Sequence, residues 1–199
     1  GKLIPLNMYG YSKQMVDQYL ANKRILTARH AGGASFVGTK YSNVFGPNEY
    51  HKGNMRSMVL RAYEQITANG SVALFKSYRQ DYADGEQVRD FLYVKDAADM
   101  TVFFMNSGRS CCGLYNIGFG ATRSWNDLAK AMFDALGKPV RINYIDMPES
   151  LKDKYQYYTC LDIAKLRQAG YERQLTSLED AVSDYARYLQ KNAHLGDLP

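Results

Sequence analysis

The chain has 199 residues, 46% of them hydrophobic and 23% charged, enough for one ordinary domain with a real core and a soluble globular profile. No apolar run is long enough to cross a membrane and no signal peptide is read at the start, and the net charge of +5 is spread among acids rather than gathered in a block, which argues against nucleic acid and membrane surfaces as partners. The three cysteines, Cys111, Cys112 and Cys160, form neither a disulfide framework nor a zinc spacing, so a reducing cytoplasm is the expected compartment.

The first element is a helix over residues 9 to about 29, with Met15, Val16, Tyr19 and Leu20 at helical spacing. It grows out of the run Leu6-Asn7-Met8-Tyr9-Gly10-Tyr11-Ser12-Lys13. Tyr9 and Lys13 are four residues apart and so share a helix face. A tyrosine hydroxyl is a poor base at neutral pH, and a nearby ammonium favours its phenolate. Such a pair fits a base that takes a proton from a sugar hydroxyl while hydride leaves for a nicotinamide. It equally fits a solvated pair in a first helical turn.

Ala31-Gly32-Gly33 breaks the helix before a strand over residues 35–41, and Gly46-Pro47 opens a loop. Asn43 reads there as a turn former, and Lys52 as a solvated loop lysine. A second helix spans 55–68, closed by Asn69-Gly70, with Arg61 at an exposed position. A strand over 72–75 leads into a polar loop, 76–87. Its acidic run Asp81-x-x-Asp84-Gly85-Glu86 lacks the alternating oxygen ligands and closing Glu of a calcium loop, so no metal is expected. A strand over 88–94 carries Arg89, which by itself reads as a partner of Asp90 or another nearby acid. A helix over 95–106 and a strand over 114–117 follow. Ser124 with Asp127 caps a helix that Gly137 stops. Then come a strand over 141–144, a short helix over 161–169, and a last helix capped by Ser177 with Asp180, running to about residue 191. Trp125 and Tyr155-Gln156-Tyr157-Tyr158 read as packing aromatics or as a platform for adenine. The alternation of strands and helices argues an α/β fold. No Gly-rich fingerprint for a dinucleotide pyrophosphate is present: Gly32-Gly33 lacks the spacing, and Gly118-Phe119-Gly120 lacks a third glycine.

Five motifs fall in a telling order: the Leu6 to Lys13 run, Tyr41-Ser42-Asn43-Val44-Phe45-Gly46-Pro47, Asn48-Glu49-Tyr50-His51-Lys52-Gly53, Arg89-Asp90-Phe91-Leu92-Tyr93-Val94-Lys95-Asp96, and Tyr115-Asn116-Ile117-Gly118-Phe119-Gly120. Together they resemble the extended short-chain dehydrogenase/reductase family of nucleotide-sugar enzymes, over residues 5 to about 189. The Tyr-Gly-Tyr-Ser-Lys and His-Lys-Gly elements resemble the branch that epimerises an ADP-heptose at C6.

That resemblance implies the C-terminal part of a Rossmann-type doubly wound NAD(P)-binding domain plus a smaller α/β substrate domain, with the N-terminal cofactor-binding half and its catalytic Ser or Thr absent. Residues 1–46 would end the Rossmann-type domain, 47–87 would bind substrate, 88–120 would return to the first domain, and 121–199 would lie mainly in the substrate domain. The implied enzyme is an isomerase that inverts C6 of ADP-D-glycero-D-manno-heptose by transient oxidation, for lipopolysaccharide precursor synthesis; this stretch alone is expected to be inactive. The resemblance assigns catalysis to Tyr9, Lys13 and Lys52, with Lys52 as a second acid/base opposite the tyrosine. It places Tyr9, Lys13, Val44 and Lys52 at the cofactor, NADP, with NAD as the alternative. It places Asn43, Asn54, Arg61, Phe75, Lys76, Ser77, Tyr78, Arg89 and Tyr155 at the substrate. It implies a cytoplasmic homo-oligomer, a pentamer, with an ADP-sugar as its small-molecule partner. Lys40 stands where the family often has Arg, and the segments 30–34 and 76–87 are longer than usual. Two other readings stay open: a sibling nucleotide-sugar 4-epimerase or dehydratase, and a non-catalytic nucleotide-sugar-binding module. A dehydratase would want a carboxylate pair near the hexose, and His51-Lys52-Gly53 speaks against it.

Overall fold

The computed structural model describes residues 5, 7–22, 36–107, 111–152 and 154–198. In chain order these form α1 (Met8–Asn22), β1 (Val37–Tyr41), β2 (Asn43–Phe45), a 3-10 turn (Tyr50–Met55), α2 (Met58–Asn69), β3 (Val72–Phe75), β4 (Val88–Arg89), β5 (Phe91–Tyr93), α3 (Val94–Asn106), β6 (Gly113–Ile117), β7 (Arg123–Ser124), α4 (Trp125–Ala135), β8 (Ile142–Ile145), α5 (Glu149–Lys152), α6 (Ala164–Gln168) and α7 (Leu178–Lys191). The helix expected to run past residue 22, the glycine break at 31–33, the longer segment 30–34 and the first residue of the strand 35–41 lie outside the described residues.

The chain is α/β. β1 pairs with β6, β2 with β5 and β3 with β8, all parallel, while β4 pairs antiparallel with β7. Parallel neighbours need a crossover, and helices supply it here. Ser42 marks where one extended stretch changes partner: its N–H donates to Ile117 at 2.9 Å, and the next N–H, of Asn43, donates to Asp90 at 3.1 Å. The single strand expected over 35–41 is therefore continued by a second.

β5 divides two cores by the two-residue period of a strand. Phe91 and Tyr93 enter one, with Val59, Ile66, Met132 and Val182 from α2, α4 and α7. Leu92 enters the other, with Met100, Phe104, Ile117 and Leu166. Both cores are close-packed apolar clusters, the largest favourable contribution to folding.

The caps follow the sequence. Ser124 and Asp127 form a reciprocal capping box at α4, at 3.1 and 3.0 Å. Ser177 accepts the Asp180 N–H at 3.1 Å, and Gly70 closes α2 at φ 70°. Two boundaries differ from expectation. α2 starts at Met58, because Gly53 at φ 53° turns the chain and Ser57 is the true N-cap. The strand expected over 88–94 breaks at Asp90. That carboxylate, fully buried, accepts N–H groups from Phe119 at 2.7 Å and from Gly120 and Leu161 at 3.1 Å each. Gly118 lies so close to it that a Cβ there would collide. Residue 94 begins α3 instead.

On α7, Asp184 accepts the Tyr93 hydroxyl at 2.5 Å and the Lys95 ammonium at 2.7 Å. Burial opposes its ionisation, but hydrogen bonds from Lys95 and Tyr93 outweigh it and hold the carboxyl below the usual range. A depressed folded pKa gives stability that is present above the unfolded value of about 3.9 and lost as pH falls through the folded value. Chemical denaturation midpoints should fall below about pH 4, and less steeply in Asp184→Asn than in the parent. Parallel acid limbs would refute this role.

Candidate functional site

Four adjoining cavities share walls. The first, 350 Å³, is lined by Asn43, Val44, Glu49 and Lys52, and by Met58 and Trp125. Met58 and Trp125 also line the second, 370 Å³, with Arg61, Gln65, Phe75 and Tyr155. Tyr155 passes on to the third, 480 Å³, with Tyr9, Lys13, Lys40, Arg89 and Lys154. Tyr9, Lys13 and Lys40 also line the fourth, 500 Å³, between α1 and β1.

The first turn of α1 brings Tyr9 and Lys13 together as their spacing requires. The Lys13 ammonium stands over the Tyr9 ring, 5.2 Å from its centroid. Tyr9 is 71% exposed, and α1 buries none of its residues. Lys40 anchors the helix to β1 through Asp17 at 2.5 Å.

Lys52 is exposed in the 3-10 turn, which leaves β2 by way of Gly46-Pro47. Gly46, at φ 143°, passes against Val94 where a side chain would collide. Asn43 and Val44 join Lys52 at the first cavity. Tyr9 and Lys13 do not line that cavity; they stand at the third and fourth.

Arg89 differs from its simplest reading. It is 7% exposed, and among the described residues it makes no ion pair with Asp90 or any other acid. Asp90 is already committed to backbone N–H groups. The Arg89 guanidinium lies 5.5 Å from the centre of the Trp125 ring and 5.2 Å from that of Tyr155, and donates to the Val88 carbonyl at 2.8 Å. The Trp125 indole N–H in turn donates to the Tyr155 hydroxyl at 2.9 Å. Burial pulls the guanidinium below its ordinary pKa, against the influence of Tyr155. Burial likewise raises the Tyr155 hydroxyl, against the pull of the Arg89 charge. A desolvated cation without a carboxylate is costly unless an anion completes it.

The remaining residues divide. Arg61 is half-buried rather than exposed, and it donates to the Asn54 carbonyl, so the two meet. Phe75 packs edge-on to Tyr155 at 6.2 Å. Lys76, Ser77 and Tyr78 line none of these four cavities. Lys76 and Tyr78 both bind Asp146, at 3.2 and 2.9 Å, and the Ser77 N–H donates to Asp84 at 2.6 Å. In the acidic loop Asp81 pairs with Arg79 and Glu86 accepts from Asn126. Trp125, Tyr155 and Tyr157 pack against neighbours. Sequence reasoning missed Lys154, which joins Arg89 only through the fold and carries no local signal. It also missed Glu49, a buried carboxylate that accepts the Ser57 N–H and hydroxyl at 2.6 Å each and so anchors the Lys52 turn.

The arrangement is a cleft with a phenol–ammonium pair, a caged guanidinium and further lysines, suited to an anionic polar ligand. Residues 1–118 match the NAD dependent epimerase/dehydratase family. The chain is 47% identical to the ADP-L-glycero-D-manno-heptose-6-epimerase of Nitratidesulfovibrio vulgaris over 186 residues, 94% of this chain and 55% of that protein. It is 45% identical to the protein of the same name from Fusobacterium nucleatum, over 96% of this chain and 57% of that one. The chain thus spans little more than half the length of these curated relatives. Its structure is similar to that of Helicobacter pylori ADP-L-glycero-D-manno-heptose-6-epimerase, with TM-score 0.73 and 28% identity, covering 94% of this chain and 52% of that one. The UDP-N-acetylglucosamine 4-epimerase of Methanobrevibacter ruminantium, at 20% identity and TM-score 0.75 over 96% of this chain and 56% of that one, shares the fold.

Proposed function

The chain belongs to the NAD dependent epimerase/dehydratase family, and from that membership we propose that it forms the substrate-binding part and the proton-transfer pair of an isomerase that inverts C6 of ADP-D-glycero-D-manno-heptose. The names of the relatives at 45% and 47% identity support the choice of sugar. The observation that carries the reading is Arg89, a buried guanidinium that pairs with no carboxylate among the described residues, facing the cleft that Tyr9 and Lys13 line. A diphosphate is the anion such a group accepts best, because the planar fork gives charge-assisted, bidentate hydrogen bonds.

Tyr9, with the Lys13 charge beside it, takes the proton from the hydroxyl at C6. Lys52 gives a proton to the ketone oxygen once the ketone has turned to present its opposite face, and inversion comes from that change of face. Asn43, Asn54, Arg61, Phe75, Lys76, Ser77, Tyr78 and Tyr155 complete the substrate contacts, those of Lys76 to Tyr78 through the neighbouring loop. A nicotinamide dinucleotide, NADP in this reading, supplies the hydride acceptor and donor when bound. The exposed phenol–ammonium pair on α1 fits its nicotinamide end, and Tyr9, Lys13, Val44 and Lys52 would border it. The sequence has no Gly-rich turn for its pyrophosphate. Residues 1–46 and 88–120 are proposed as the Rossmann-type part, and 47–87 with 121–199 as the substrate part. The assembly is proposed as a cytoplasmic homo-oligomer serving lipopolysaccharide precursor synthesis.

Calorimetry of the chain with ADP-heptose tests the anion site. Arg89→Met should weaken binding by about 30-fold, the loss of a charge-assisted hydrogen-bonded pair of about 2 kcal/mol, while heptose without the nucleotide should bind both proteins equally poorly. Equal ADP-heptose affinity in the two proteins would remove Arg89 from the site.

A further inference from the structure

The turn that carries Lys52 is held from the far end of the chain. α7 ends at Lys191, and Asn192, at φ 50°, reverses the backbone so that the Ala193 N–H donates to Tyr188 at 2.9 Å. Residues 193–197 then lie against residues 48–50. The Tyr50 hydroxyl donates to the Ala193 carbonyl at 2.6 Å, and the Leu195 N–H donates to the Asn48 side-chain oxygen at 2.8 Å. The Tyr50 and His194 rings meet edge to face at 5.2 Å. Asp197 accepts the His194 N–H at 2.6 Å and so closes the turn on itself. Asn48 sits at φ 75°, a conformation that costs a non-glycine residue energy and persists only where its surroundings impose it.

The other flank of Lys52 is fixed separately, by the Glu49 carboxylate on Ser57 at the start of α2. Between these anchors the Lys52 N–H donates to the Glu49 carbonyl at 3.1 Å, and Gly53 at φ 53° has open space around it. An exposed lysine on a long flexible stem is a poor proton carrier unless its backbone is held, since a small displacement costs much of the effect. We propose that the C-terminal turn 192–197, acting through Asn48 and Tyr50, is a positioning element that holds the Lys52 backbone for proton transfer. The proposal rests on the acid/base reading of Lys52.

The test uses Asn48→Gly combined with Tyr50→Phe. This removes both hydrogen bonds to the turn, while the glycine relaxes the left-handed backbone and the ring remains to fill its place. Amide exchange in residues 50–54 should become about tenfold faster, the scale of a lost hydrogen bond, with α4 amides unchanged. In the product of the complete gene, kcat should fall about tenfold with KM within about twofold, as for a group that acts in the transition state rather than in binding. Unchanged exchange overturns the proposal. So does faster exchange with full kcat when Lys52→Met has lost turnover. If Lys52→Met itself keeps full turnover, the acid/base reading has failed and the proposal falls with it; the silent variant identifies which of the two was wrong.

Discussion

Asp90→Ala should destabilise the chain by about 3–5 kcal/mol, measured as the loss in unfolding free energy from urea titration. The carboxylate is fully buried, and its two oxygens accept three backbone N–H groups from residues 119, 120 and 161. Those donors belong to two segments distant in sequence, the turn after β6 and the approach to α6. Alanine would leave all three buried without partners, each at a cost of about 1–3 kcal/mol before relaxation. Asp90→Asn should lose less, because its one carbonyl oxygen still accepts. The same break between β4 and β5 aims Arg89 at the cleft, so Asp90→Asn should also weaken ADP-heptose binding although Asp90 lines none of the four cavities. A loss below about 1 kcal/mol for Asp90→Ala would contradict the assignment.

Tyr9→Phe should lower turnover of ADP-heptose by about a thousandfold or more in the product of the complete gene, within the span expected for a lost acid/base group. The phenyl ring keeps its place under the Lys13 ammonium. Substrate affinity by calorimetry should therefore stay within about twofold. Lys13→Met should lower turnover as well, since it removes the cation held against the Tyr9 ring. Retention of full turnover in Tyr9→Phe would end its assignment as the base.

Much of this was legible in the chain. The Tyr9 and Lys13 pair, the caps at Ser124 and Ser177, the strand at residues 72–75 and the turn at Gly70 all depend on neighbours within a few positions. Local spacing suffices for these. What escaped depends on distant partners. Arg89 read alone looked like half of an ion pair with Asp90, yet Trp125 and Tyr155 enclose it and Asp90 turns to the backbone of residues 119, 120 and 161. The division of residues 88–94 into two strands follows from that same carboxylate. Met15, Val16 and Tyr19 have the spacing of a core-facing helix, yet all three are exposed and α1 buries none of its residues. A hydrophobic period gives a face and does not say what packs on it. In the loop after β3, Asp84 accepts the Ser77 N–H and Asp146 accepts from Lys76 and Tyr78, and the partner Asp146 is far away in the chain.

The most direct measurement is the proton NMR spectrum of ADP-D-glycero-D-manno-heptose after incubation with the product of the complete gene. Inversion at C6 is the expected result, giving the L-glycero epimer with no net change in the cofactor. An unchanged sugar in the presence of bound cofactor, or inversion at another carbon, would contradict it.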